Sequence, residues 1–254
     1  MRGVETRMTT DAPVWASYCG PAPAAGEWRW TLDPMLLGFL ALATVWVVWR
    51  GRGRGRQRGL WLAAVAVLAI CFVSPLCALS SALFAARTVH HVLLVAVAAP
   101  LIAWAAPRVR AGPLALATAA QAAVFWIWHA PPAYAAALSS DPVYWAMQLS
   151  LLGTAVWFWA GVRRASAPAA VGHLLAAMVA MGLLGALLTF ADQPLYAPHL
   201  LTTQAWGFTP LADQQAAGLI MWAPAAAVYL AAALLLLGRW IGPDRPVVRV
   251  DQTG

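Results

Sequence analysis

Seven apolar stretches dominate this chain of 254 residues, at about 33–49, 60–80, 83–106, 112–130, 143–162, 169–191 and 213–238. Each is near the roughly 20 residues that carry a helix across a bilayer. Backbone amides in hydrocarbon have no water to bond, so such runs must close their hydrogen bonds internally as helices. The alternation that marks a membrane barrel is absent. Composition agrees: 62% of residues are hydrophobic, 10% are charged, and mean hydropathy is +0.71. A soluble domain runs near half apolar and about a quarter charged. A soluble enzyme, a disordered chain and a disulfide scaffold are thereby excluded. The expected architecture is all-α, a polytopic bundle of seven transmembrane helices. Residues 1–31 form an extracytoplasmic tail, 32–240 the bundle and 241–254 a cytoplasmic tail. The first 31 residues lack the apolar core of a signal peptide, so the first apolar run is expected to direct insertion.

Arginine sets the orientation. All 16 basic residues are Arg, and they give a net charge of +7. Twelve fall on one side: Arg50, Arg52, Arg54, Arg56 and Arg58, then Arg108 and Arg110, Arg163 and Arg164, and Arg239, Arg245 and Arg249. The other side holds Arg2, Arg7, Arg29 and Arg87. The N-terminus is therefore expected outside and the C-terminus in the cytoplasm. No basic stripe interleaves with stacking aromatics, so nucleic acid is not an expected partner. Tryptophans fall into two belts, Trp28, Trp30, Trp126, Trp128, Trp145 and Trp206 at outer ends and Trp46, Trp49, Trp61, Trp104, Trp157 and Trp159 at inner ends. Such belts anchor helices at the headgroups. Pro75, Pro100 and Pro224 lie inside predicted helices and are expected to kink them. Cys71 and Cys77 lie six apart on one predicted helix, which sets their Cα atoms roughly 9 Å apart. That exceeds the reach of a disulfide, about 7 Å.

Polar residues at membrane depth gather toward the outer side. His90 and His91 open the third helix, His129 ends the fourth and His199 follows the sixth; only His173 lies toward the cytoplasm. Cys77, Asp192, Asp213 and Gln214 also fall at outer ends. Ionisable groups in a membrane usually face the bundle interior and mark function. Arg87 precedes His90 and His91 by three and four residues, on one broad helix face. A fixed cation there disfavours imidazolium and keeps the rings neutral, as metal ligands must be. On the sixth helix Met181, Gly185, Thr189 and Asp192 form a stripe; on the seventh, Gln214, Gly218 and Met221 do. Gly182, Gly185, Ala186 and Gly218 allow a close approach of the two helices. Cys, Met and His together suit copper, especially Cu(I). No zinc, phosphate-loop or nucleophile motif is present.

Four segments carry a resemblance. They are Val-Ser-Pro-Leu-Cys-Ala-Leu-Ser-Ser-Ala-Leu-Phe at 73–84, Trp-His-Ala-Pro-Pro-Ala-Tyr-Ala-Ala-Ala-Leu at 128–138, Leu-Leu-Thr-Phe-Ala-Asp-Gln-Pro-Leu-Tyr at 187–196 and Thr-Pro-Leu-Ala-Asp-Gln-Gln-Ala-Ala-Gly-Leu-Ile-Met-Trp at 209–222. Over residues 31–240 the chain resembles the polytopic CtaG family of cytochrome c oxidase assembly proteins. The resemblance implies a multi-pass protein of the bacterial plasma membrane, non-catalytic, with oxidase subunits as partners, acting at copper insertion. Where the family reads His-Met-Val-Gln-His, this chain has Arg87-Thr88-Val89-His90-His91. Where the family's fifth helix carries His-x-x-Glu-His, it has Trp145-Ala146-Met147-Gln148-Leu149.

The expected function is an assembly factor for cytochrome c oxidase that captures Cu(I) near the outer surface and passes it to the oxidase copper centre. His90, His91 and His129 are the expected first ligands, with Cys71, Cys77 and Met221 as soft partners. Asp192, Asp213 and Gln214 are expected to orient them, and Arg87 to tune the charge. The alternatives are a metal-free chaperone for oxidase subunits and a haem-binding membrane protein with axial histidines. An inverted-repeat transporter lacks the internal repeat it needs.

Overall fold

The computed structural model describes residues 15, 18–50, 55–106 and 112–242. Arg2, Arg7, Arg52, Arg54, Arg108, Arg110, Arg245 and Arg249 lie outside the described residues.

The chain is helical, with no strand element among the described residues. The helices are α1 Pro34–Arg50, α2 Gly55–Phe72, α3 Pro75–Ala82, α4 Phe84–Ala105, α5 Leu114–His129, α6 Pro131–Ser139, α7 Asp141–Arg164, α8 Ala167–Thr189 and α9 Pro210–Ile241. Four are long and apolar enough to cross a membrane, namely α2, α4, α8 and α9; α1 and α5 are shorter apolar helices. The seven apolar stretches thus correspond to the seven long helices. The two short ones, α3 and α6, come from segments that the hydrophobic pattern alone does not separate.

Helix α4 lies centrally, packed against α2, α7 and the first half of α9. Helix α8 packs along α9 and α5, and α1 lies along α2 at the edge. The surface is apolar: Met35, Phe39, Leu42, Leu149, Val179, Leu183, Leu187 and Leu235 are all exposed. The interior holds Arg87, His90, His91, His129, Gln148, Asp213 and Gln214. This reverses the soluble pattern and suits a protein whose solvent is lipid.

In lipid the association of helices rests on close packing and not on apolar burial, and the α8–α9 seam shows it. A Cβ on Gly185 would stand 2.8 Å from the Gly218 carbonyl oxygen and 2.9 Å from the Trp222 nitrogen. A Cβ on Gly218 would strike the Thr189 hydroxyl and lie 2.6 Å from the Gly185 carbonyl oxygen. The expected close approach is therefore present. Met221 is buried in this seam and would be touched by a side chain at Gly185.

One of the three prolines departs from the expectation of a kinked helix. Pro75 does not bend a continuous helix. The chain breaks at Val73 and Ser74, and Pro75 occupies the first turn of α3, where its missing N–H is no loss. Ser74 caps that turn by accepting the Leu76 N–H at 3.2 Å. Pro100 follows a widened helical turn, Leu93–Ala98, and Pro224 lies within another, Met221–Ala225. A π-type turn absorbs a residue that cannot donate. The Val95 carbonyl in the first of these turns accepts the indole N–H of Trp159 at 2.9 Å. Trp159 is accordingly buried and belongs to the core rather than to an interfacial belt.

Part of the expected N-terminal tail is built structure. Cys19 forms a disulfide with Cys77, their Cα atoms 5.2 Å apart. Arg29 donates to the carbonyls of Cys19 and Pro21 and packs over Gly20, whose φ of +79° suits glycine. Thr31 N–H reaches the Val73 carbonyl at 3.0 Å, in the break between α2 and α3. Asp33 accepts the Met35 N–H at 2.7 Å, so it caps α1, and the Tyr18 hydroxyl donates to its other oxygen at 2.7 Å.

Candidate functional site: a buried polar cluster at one end of the bundle

The α3–α4 junction builds the cluster. Leu83 is extended, with φ −125° and ψ 130°, so α3 ends and α4 starts around it. A helix start leaves N–H groups without partners and a helix end leaves carbonyls. Here the segment 191–213 satisfies both. Asp213 accepts the N–H groups of Phe84 and Ala85 at 2.7 and 3.1 Å. The Ala82 carbonyl accepts from the Thr202 hydroxyl at 2.6 Å and from His199 Nδ1 at 3.2 Å. Gln214 holds the same segment from below: its oxygen accepts the Leu195 N–H at 2.7 Å and its amide donates to the Gln193 carbonyl at 3.2 Å.

Helix α4, fixed in this way, presents Phe84, Arg87, His90 and His91 to the interior, all buried. Pro131 follows His129 by two residues, so α5 stops and α6 folds back, bringing Tyr134 to the same place. The rings of His91 and His129 stand 5.5 Å apart, edge to face, and those of His90 and His91 5.9 Å apart. Phe84 stacks on Tyr196 at 3.9 Å and stands edge-on to Tyr134 at 5.2 Å.

Hydrogen bonding defines the protons. The His199 Nδ1 faces a carbonyl, which only accepts, so this nitrogen carries the proton. Its Nε2 then accepts from the Tyr134 hydroxyl at 2.7 Å. Burial, together with the Arg87 charge, pushes the His199 pKa down to about 3, while the bond to Ala82 opposes the shift. His129 Nδ1 likewise donates to the Phe125 carbonyl at 2.7 Å. With Arg87 already buried, a second charge here is costly, so His129 is neutral and its Nε2 holds a lone pair. That atom, and both nitrogens of His90 and of His91, meet no hydrogen-bond partner.

Arg87 is wholly buried, with its guanidinium 5.2 Å from the centre of the Tyr144 ring. The Tyr134 and Tyr144 hydroxyls interact with it. Even so, none of its nitrogens meets an acceptor at full hydrogen-bond geometry. It does not snorkel to a headgroup.

The expected ligands are therefore distributed unequally. His90, His91 and His129 come together with Arg87. Cys71 lies beside them, with its thiol 3.8 Å from the His90 carbonyl. Cys77 is not a soft ligand: its sulfur is bonded to Cys19, because the break at Val73 and Ser74 turns it toward the N-terminal segment. Met221 sits in the glycine seam between α8 and α9. Asp192 is exposed in the turn after α8 and orients nothing in the interior. Asp213 and Gln214 hold backbone groups, so they position α4 and the segment 191–213 rather than any ligand ring. Among the described residues no three His, Cys, Asp or Glu side chains converge as a metal site. Sequence reasoning did not find Tyr134, Tyr144, Tyr196 or Gln148. Tyr134 had one available signal, the Pro131-Pro132 pair that starts a new helix just after His129. Beside the cluster a cleft of about 390 Å³ opens between α1, α2, α4 and α7, with Gln148 among its mostly apolar lining residues.

Fold and site together define a helical bundle of membrane-crossing composition with a basic, histidine-rich interior at one end. Residues 40–242 match the family described as cytochrome c oxidase caa3 assembly factor (Caa3_CtaG), and the chain belongs to it. No curated protein and no solved structure matches.

Proposed function

We propose that this assembly factor handles copper for the oxidase, as a seven-span protein of the bacterial plasma membrane with its cluster facing outward. One observation carries the reading: His91 and His129 stand 5.5 Å apart, edge to face, in the interior, with His129 Nε2 and both His91 nitrogens unpartnered. Imidazole nitrogens bind first-row metals at about 2 Å, which puts two rings on one ion with centroids roughly 5–6 Å apart. The orientation is supported by the described arginines. Arg56 and Arg58, Arg163 and Arg164, and Arg239 each lie at the far end of a helix whose other end contributes to or holds the cluster. The role is non-catalytic: copper is cargo, captured by His91 and His129 and released to the oxidase.

The test is the copper-to-haem ratio of oxidase purified from a strain lacking this protein, and from one carrying His91→Ala. The expected result is low copper with haem retained in both. A normal ratio in active oxidase removes the copper reading. A second reading, a metal-free chaperone for oxidase subunits, is favoured by the lack of a three-residue metal group among the described side chains. It predicts failed assembly in the deletion strain, with full assembly restored by His91→Ala.

A further inference from the structure

We infer that Arg87 holds an anion, a small monoanion of the halide class, which enters beside copper and completes its ligand set. The inference rests on the copper reading above and adds to it the form of the cargo: a neutral cuprous salt rather than a bare ion.

Three observations converge. First, Arg87 is 0% exposed and its three nitrogens meet no acceptor at hydrogen-bond geometry. Its neighbours are neutral: the Tyr134 and Tyr144 hydroxyls interact with it but carry no charge to balance it. The Tyr134 hydroxyl donates to His199, as shown above. Cys19 is in a disulfide and has no S–H, so the Tyr144 hydroxyl donates to its sulfur at 3.4 Å. Asp213, the buried carboxylate at this end, has both oxygens occupied by the amides of α4.

Second, the metal site is incomplete. His91 and His129 offer two nitrogens, and no third His, Cys, Asp or Glu converges on them among the described residues. Arg87 lies one helical turn before His91, a rise of about 6 Å. A ligand seated on the guanidinium is therefore within reach of an ion held by His91.

Third, the charges require it. A cuprous ion beside a buried guanidinium places two positive charges in a medium where each unpaired ion costs several kcal/mol. One monoanion between them cancels a charge, accepts N–H bonds from the guanidinium and donates an electron pair to copper. Arginine suits this role because its N–H groups form a planar fork and it stays charged when buried. The binding step involves no electron transfer: Cu⁺ and X⁻ enter together, and two imidazoles and one guanidinium receive them.

The test is X-ray absorption at the copper edge on the full-length protein in detergent, loaded anaerobically with Cu(I) in bromide buffer. The expected wild-type spectrum has nitrogen neighbours and one bromine. Arg87→Gln should lose the bromine shell and bind Cu(I) at least tenfold more weakly in a chelator competition. Arg87→Lys, which keeps the charge, should retain part of both. A wild-type spectrum with nitrogen alone overturns the inference and leaves the copper reading standing. A bromine shell that persists in Arg87→Gln also overturns it. Failure of the wild type to take up copper removes the copper reading itself. Should Arg87→Gln not fold, the wild-type bromine shell, compared with a sample in perchlorate, decides alone.

Discussion

The Asp213 carboxylate on α9 accepts the backbone N–H of Phe84, the first residue of α4, at 2.7 Å across 129 positions of sequence. Leu83 has no side chain that can cap α4, so the cap is supplied from another helix. The same contact fixes the depth and rotation of the helix that carries Arg87, His90 and His91. A carboxylate at a helix start also meets the positive end of the helix dipole.

Asp213→Ala should therefore destabilise the protein by about 1–3 kcal/mol, the cost of leaving buried backbone donors unpaired. Asp213→Asn keeps one acceptor and should cost less. Thermal unfolding in detergent, with the two variants side by side, checks both the size and the order.

The glycine seam makes a separate prediction. Gly218→Ala puts a methyl group against the Thr189 side chain and the Gly185 carbonyl, and Gly185→Ala meets the α9 backbone. Overpacking of this kind costs about 1–3 kcal/mol. Gly172→Ala, where a Cβ meets nothing within 4 Å, should be neutral or stabilise α8 by up to about 1 kcal/mol. Equal melting temperatures for all three would show that the seam is looser than described.

Removing the Cys19–Cys77 bond releases the segment that covers Tyr144. The bridge spans 58 residues, and closing a loop of that length is worth about 4 kcal/mol on a chain-entropy account. Cys19→Ser, Cys77→Ser and the double variant should lose the same stability, because one bond is lost in each. Faster proteolysis of residues 20–32 in all three, and protection in the oxidised parent, is the expected accompaniment.

Acid should weaken the α3–α4 junction through His199. Its folded-state pKa is about 3, below the ordinary 6.5. The unfolded chain therefore binds the proton first, and stability is complete above pH 6.5 and falls as pH drops toward 3. His199→Gln keeps an acceptor for Tyr134 without titrating, so its melting temperature should fall less between pH 7 and pH 4.5 than that of the parent. Parallel curves would place the acid sensitivity elsewhere.

Much of this molecule is legible in its apolar runs. The seven long helices, the approach of Gly185 to Gly218 and the gathering of His90, His91 and His129 at one end all follow from periodicity and position. What misleads is local. A continuous apolar run hides the break at Val73 and Ser74, so Cys71 and Cys77 look like neighbours on one helix. In fact one thiol lies beside His90 while the other sulfur is bonded to Cys19. Asp213 and Gln214 look like ligand-orienting groups because they are polar residues in an apolar run, and nothing local reveals that backbone amides claim them.

The sequence by itself determined the class of fold, because hydrocarbon admits only segments that satisfy their own backbone, and that condition is written in run length and hydropathy. Tertiary structure decided the chemistry. Whether a buried carboxylate caps a helix, pairs with a cation or orients a ligand depends on which groups from distant segments reach it. Asp213 reaches the α4 amides, and Arg87 is left among neutral oxygens beside two imidazoles set edge to face. The first of these juxtapositions joins residues 129 positions apart and the last residues 38 apart, and over either distance hydrophobic period carries no information.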